Sequence, residues 1–309
     1  MTVKIGISLP SHLPGCDRDL FLQWARAADD GGASTLTVAD LLTTPAWDAL
    51  AALAAAAAVT ERVRLMTNVF VLPLRHAGVV AQQAATIDVL SRGRLTLGLG
   101  AGGRKPVLFD ITGDPDAHAN FPDYAAAPAD PKGRSARLDE QALYMRQLWA
   151  GAAPMPGVPP VGPVPAQPSG PELLAGVYAP AAIRRAAQWA DGFACFNHGA
   201  DATIVGEHVR LATAGWRDAG HREPPRIVGS CLLALGPDAA DGKATYLAQH
   251  YHHLSADGRA KIDAAIGPPG DDAARRAAKV FADVGCDEVI FVAMIPHLDQ
   301  VHRLLDLDL

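Results

Sequence analysis

The feature that most constrains this chain is a helix, a tight turn and a short apolar strand in immediate succession between Val79 and Leu99. From Val79 to Leu90 the apolar residues recur at helical spacing, leaving Gln82, Gln83 and Asp88 for other faces. Ser91-Arg92-Gly93 stops that helix. Arg94 to Leu99 then ends almost wholly in apolar residues and glycine, as a parallel strand covered on both faces does. The same rhythm recurs along the chain, with further strands expected over residues 3–9, 35–39, 63–72, 172–177, 192–196, 226–235 and 288–293 and helices between them. Thr44-Pro45 reads as the start of the second helix, a threonine cap with proline in the first turn. Eight strands with intervening helices select the α/β class and, within it, a closed (β/α)8 TIM barrel over an open sheet.

Two stretches interrupt the rhythm. Residues 102–133 carry Pro106, Pro115, Pro122, Pro128 and Pro131, and residues 153–171 hold eight prolines in nineteen positions. Both read as loop insertions, at 102–133 and 151–171, in one domain spanning 1–309, because the βα rhythm resumes after each of them. Hydrophobic residues make up 49% and charged residues 19%, and no apolar run is long enough to span a bilayer, so membrane insertion is not expected. No secretion signal is legible at the start, which makes a cytoplasmic location the expectation. A net charge of -6 with mixed signs argues against nucleic acid as a partner. Self-association as a homodimer stays open. The four cysteines form no Cys-x-x-Cys pair, and His250, His252 and His253 lack the spacing and the acidic or thiolate company of a metal set, so no metal is expected.

Ala84-Ala85-Thr86-Ile87-Asp88-Val89-Leu90-Ser91-Arg92-Gly93-Arg94-Leu95, followed by Leu97-Gly98-Leu99-Gly100-Ala101-Gly102, resembles the signature of the bacterial luciferase-like oxidoreductases. The likeness extends to Ile5 through Pro10, Val38-Ala39-Asp40, Leu72 through His76, Gly133 through Glu140, Leu148-Trp149 and Ala179-Pro180 through Gly192. The resemblance implies a TIM barrel using FMN or coenzyme F-420 in monooxygenase or hydride-transfer chemistry on a small organic substrate. Asp40 matches the family's Asp, yet the His that usually follows it is Leu41 here, and the acidic residue usual after the glycines of the fourth strand is Gly103. Both customary proton-handling groups are therefore missing, and the catalytic residues stay unassigned.

The cofactor-binding candidates are Asp40, the third-strand residues Asn68, Val69 and Phe70 where the family often carries a bulge, and Gly100 and Gly102. The turn Gly176-Val177-Tyr178-Ala179 completes the set, since N–H groups at the start of a following helix, at Ala181 and Ala182, can donate to a phosphate. Ser8 and Trp47 are candidates for the substrate pocket. Asp40 as a loop-capping carboxylate, and Phe70 and Trp47 as ordinary packing, are the plain alternatives. Two other readings compete for the whole chain. Gly98 to Gly103 fits G-x-G-x-x-G in letters, which a nicotinamide-dependent Rossmann enzyme would need to follow with a helix, and a cofactor-free barrel would explain the lost His and acid.

Overall fold

The computed structural model describes residues 3–102 and 122–309. Eight strands, β1 (Lys4–Ser8), β2 (Thr35–Val38), β3 (Arg64–Val71), β4 (Leu95–Gly100), β5 (Glu172–Ala175), β6 (Gly192–Phe196), β7 (Arg226–Leu233) and β8 (Glu288–Ala293), pair in parallel in sequence order. β8 returns to β1 through Lys4↔Glu288 to Ile7↔Phe291 and closes the barrel. The helices are α1 (Arg18–Asp30), α2 (Ala49–Ala57), α3 (Ala77–Leu90), α4 (Pro122–Ala126), α5 (Arg134–Trp149) and α6 (Pro180–Ala186). They continue with α7 (Ala202–Asp218), α8 (Ala239–His250), α9 (Ala256–Ile266), α10 (Asp271–Asp283) and α11 (Asp299–Asp306). Closure removes the Rossmann alternative: Gly98 and Gly100 are residues within β4, not a turn opening a helix.

Local chemistry sets the boundaries. Asp17 caps α1 by accepting from Leu20 N at 2.8 Å, and Phe21, Trp24, Ala25 and Ala28 then fall on one buried face. The second helix does not start at Thr44-Pro45. It starts at Ala49, where the Asp48 carboxylate accepts from Ala51 N at 2.9 Å and supplies the cap. α3 ends as the sequence suggests, with Arg92 (φ 55°) and Gly93 (φ 81°) in left-handed conformations. Its Asp88 is fully buried, contrary to the amphipathic reading. The carboxylate grips Gln167, accepting from its backbone N at 2.9 Å and its Nε2 at 2.6 Å, which fastens the proline-rich insertion to the barrel.

Alternation along each strand sorts the barrel into an outer core under the helices and three inner levels. The lowest level is ionic. Arg226 lies between Glu172 and Glu288, and Thr96 and Arg64 complete the ring. Burial alone would push the Glu172 carboxyl up, but Arg226, Thr96 and Arg64 together hold it below the usual carboxylate range. Above it Met66, Leu174, Ala194, Val228 and Ile290 form an apolar plug, each at most 1% exposed. The third level, at the carboxyl ends of the strands, is the floor of the open mouth.

Candidate active site

Strand β3 departs from regular pairing at this floor. Its register with β4 shifts between Thr67 and Phe70, and the Asn68–Val69 peptide is cis. Regular alternation would put only one of two successive side chains inside, whereas here Asn68 and Val69 both face the barrel axis. Asn68 Nδ2 donates across the mouth to Ser230 Oγ on β7 at 3.2 Å, and Ser230 Oγ donates to Cys195 O at 3.4 Å. Val69 spreads over the ends of β4 and β5. A Cβ at Gly100 would lie 2.7 Å from Val69 Cγ2, and one at Gly176 would lie 2.8 Å from Val69 Cγ1. These glycines therefore seat Val69, and Val69 presents the surface to the mouth. Asn68 and Val69 stay partly open while Met66, Thr67 and Phe70 around them are buried.

The remaining sequence candidates divide by where their polar atoms go. Asp40 is 7% exposed, and its oxygens accept from Arg75 at 2.5 and 2.8 Å and from Val71 N at 2.9 Å. Burial raises its carboxyl pKa although Arg75 opposes the rise. This carboxylate clamps the ends of β2 and β3 together, the loop-capping role, and offers no free oxygen. Phe70 turns outward, with the Arg75 guanidinium 4.3 Å over its ring, so it leaves the cofactor set. Trp47 stacks on Phe21 of α1, ring centroids 4.9 Å apart, which is packing. Ser8 points inward on β1, where its hydroxyl accepts from Ala293 N at 3.0 Å. Leu41 is half-buried just past β2, and no side-chain acid or base occupies its place. Gly103 lies outside the described residues.

The β5 turn is also partly committed. Gly176 N donates to Leu99 O, and Ala182 N donates to Ala179 O, so Ala182 is not the free donor expected of it. Val177 packs on the outer core. The Tyr178 hydroxyl accepts from Phe196 N at 2.8 Å and donates to Phe196 O at 3.1 Å, turning the phenol toward β6 and away from the mouth. Burial pushes that phenol above its ordinary pKa. Ala179 is exposed at the turn's tip. Gly102 (φ 79°) sits beneath Tyr124 of α4, whose hydroxyl donates to Ala101 O at 2.9 Å. Asp123 accepts from Thr43 N and Oγ1, so α4, unforeseen inside the proline-broken insertion, ties the β2 and β4 ends of the mouth together.

Two histidines at the ends of β1 and β6 were missed by the sequence reading. His12 (7% exposed) and His198 (4% exposed) each bury a ring nitrogen, Nε2 and Nδ1 respectively, that has no partner. Burial, aided at His12 by neighbouring His250, lowers the His12 pKa to about 4, and burial does the same at His198. Both rings are neutral at neutral pH. Position just past a barrel strand was the available signal, since that is where barrel sites are built. Among the described residues no group of three or more His, Cys, Asp or Glu converges on a metal position, and no helix is long and apolar enough to cross a membrane.

A closed parallel barrel with a bulged third strand beneath its carboxyl-end mouth defines a TIM-barrel protein. The chain belongs to the luciferase-like monooxygenase family, whose sequence pattern matches residues 3–291. A coenzyme F-420-dependent glucose-6-phosphate dehydrogenase of Beutenbergia cavernae is 41% identical over 104 residues, which cover 33% of this chain and only 27% of that enzyme. Among solved structures, a coenzyme F-420-dependent secondary alcohol dehydrogenase bound to a coenzyme–acetone adduct superposes with a TM-score of 0.72 at 15% identity, covering 98% of this chain and 97% of its own. The oxygenating constituent of 3,6-diketocamphane monooxygenase of Pseudomonas putida, in complex with FMN, gives 0.68 at 18% identity, covering 99% of this chain and 96% of its own. At these identities the two structures speak for the fold.

Proposed function

We propose that this protein is an oxidoreductase of the luciferase-like family that binds FMN or coenzyme F-420 at the carboxyl-end mouth and acts there on a small organic substrate. The single observation that carries the reading is the β3 irregularity, which turns Asn68 and Val69 together toward the mouth above small residues on β4 and β5. Val69 supplies an apolar shelf for one face of a flat ring system. The Asn68 amide, steadied by Ser230, supplies a polar edge beside it. The exposed tip of the Gly176–Ala179 turn is the place for the phosphate arm, where Ala179 leaves room for an anion. Bound there, the cofactor would supply hydride-transfer or oxygen-activating chemistry, and the protein would contribute binding, orientation and exclusion of water.

Proton handling separates the possible reactions. Leu41 has no proton to move, Asp40 is locked to Arg75, and the buried imidazoles of His12 and His198, their pKa lowered to about 4, are weak proton acceptors. A reaction that withdraws a proton from a simple alcohol lacks its base in this set, so the reading favours monooxygenase-type chemistry with an activated acceptor. The test is titration of purified protein with FMN and with coenzyme F-420 separately, followed by quenching of cofactor fluorescence. One of the two is expected to bind saturably. Ala179→Asp is expected to weaken that binding at least tenfold while leaving the circular dichroism spectrum unchanged, because a carboxylate would oppose the phosphate. Absence of binding by either cofactor refutes the proposal, and unchanged affinity in Ala179→Asp removes the phosphate assignment alone.

A further inference from the structure

A cavity of about 300 Å³ lies outside the barrel wall, between the upper ends of β7 and β8 and helix α10. Its inner wall is Cys231, Leu233 and Phe291, which face the helix layer and belong to the outer core. Its outer wall is Ala273, Ala277 and Val280 of α10. The void has a packing cause. Lower on α10, Phe281 is fully buried and fills the space over Gly229 so closely that a Cβ there would lie 2.3 Å from Cε1 of its ring. One and two turns higher, α10 offers only Ala277 and Ala273, and Pro268 and Pro269 of the α9–α10 turn line the space without filling it.

Apart from Asp201 and Arg276 the side chains of the lining are apolar, with backbone polar groups exposed between them. Asp201 is engaged as the cap of α7, accepting from Thr203 N and Ile204 N at 2.8 and 3.0 Å. Arg276 is exposed and takes part in none of the ion pairs among the described residues. Burial raises the Cys231 thiol to about 12, so it stays protonated and serves as a small apolar wall. A half-open cleft walled by apolar side chains, with one uncommitted guanidinium at its edge, is complementary to an amphiphile with an anionic head.

We propose that this lateral cavity binds a medium-chain alkyl carboxylate, with the chain between β7, β8 and α10 and the carboxylate on Arg276. The cleft is separate from the barrel mouth, because Cys231, Leu233 and Phe291 put its inner wall on the helix-facing side of the sheet. A methylene fills roughly the ~30 Å³ that a water molecule occupies in the liquid, so the space takes a chain of about eight to ten carbons. Each methylene moved from water into it should tighten binding about fourfold.

The test is calorimetric titration of the full chain with the sodium salts of butanoic, hexanoic, octanoic and dodecanoic acids. Affinity is expected to rise about fourfold per methylene up to octanoate and to flatten beyond it. Arg276→Glu, an exposed substitution, is expected to lower octanoate affinity at least tenfold, and neutral octanol is expected to bind the wild type no better than it binds that variant. Ala277→Leu, which fills the void from the helix side, is expected to abolish octanoate binding without lowering the thermal midpoint. Lack of octanoate binding at millimolar concentration overturns the proposal. So does an affinity indifferent to chain length, or one that survives both substitutions.

Discussion

His198 offers a direct measurement of how dry the inner end of β6 is. It is 4% exposed, its Nδ1 has no partner, and burial alone lowers its pKa from 6.5 to about 4. In the unfolded chain the imidazole takes up a proton as pH falls through 6.5, while the folded protein resists until about 4. The unfolded state therefore binds more protons throughout that window, so stability is complete above pH 6.5 and is lost as pH falls toward 4. The distance between the two values corresponds to about 3 kcal/mol at ~1.4 kcal/mol per pH unit. That is a large share of a net stability of about 5–15 kcal/mol. Urea unfolding at pH 7.5, 6.5, 5.5 and 4.5 measures the loss, and His198→Gln, which keeps a polar side chain but cannot take the proton, should flatten the profile by about that amount across the window. His12→Gln should flatten it further. Parallel pH profiles for wild type and His198→Gln would refute the reasoning, since other groups titrate equally in both.

Three further outcomes follow from the described contacts. Arg75→Ala removes the partner of a buried carboxylate and should cost about 3–5 kcal/mol in urea unfolding, whereas pairing it with Asp40→Asn should recover part of the loss. Gly176→Val places methyls where Val69 already sits; a loss of about 1–3 kcal/mol is expected in thermal or urea unfolding, together with weaker cofactor binding in the fluorescence titration. Asp123→Ala releases α4 from Thr43 without touching the barrel, so proteolysis near residue 122 should accelerate while the urea midpoint stays nearly fixed.

The barrel was legible because its units are short-range. Helical spacing, a Ser-Arg-Gly stop and an apolar strand are encoded within about twenty residues, and β6 and β8 fall at the boundaries expected from their own composition. What the sequence hid depends on partners far away in the chain. Asp88 looked solvent-facing because nothing in α3 announces that Gln167, in the proline-rich insertion, will claim both its oxygens. Gly100 and Gly176 stand among the cofactor-binding candidates of the sequence, but the register shift in β3 seats Val69 against both, and no periodicity argument sees a one-residue slip. Tyr178 lay in a turn read for its backbone, and only the completed barrel sets its phenol against Phe196. His12 and His198 escaped notice because a lone histidine after a strand carries no pattern, and its burial is decided by the elements that close over it.

The bond from Tyr178 to β6 bears on how the barrel fails. β5 and β6 are paired at only two positions, Leu174↔Gly192 and Ala175↔Phe193, while β6 and β7 are paired at five. Above Phe193 the seam is held by one phenol that both gives and receives a hydrogen bond at the Phe196 peptide. A barrel is a hoop, and a hoop opens at a weakly fastened stave; β1 and β2 form the other seam with only two register pairs. Amide exchange at Phe196 should therefore report this seam before the five-pair seam between β6 and β7, and Tyr178→Phe would convert a latched joint into a hinge beside the very turn on which a phosphate would rest.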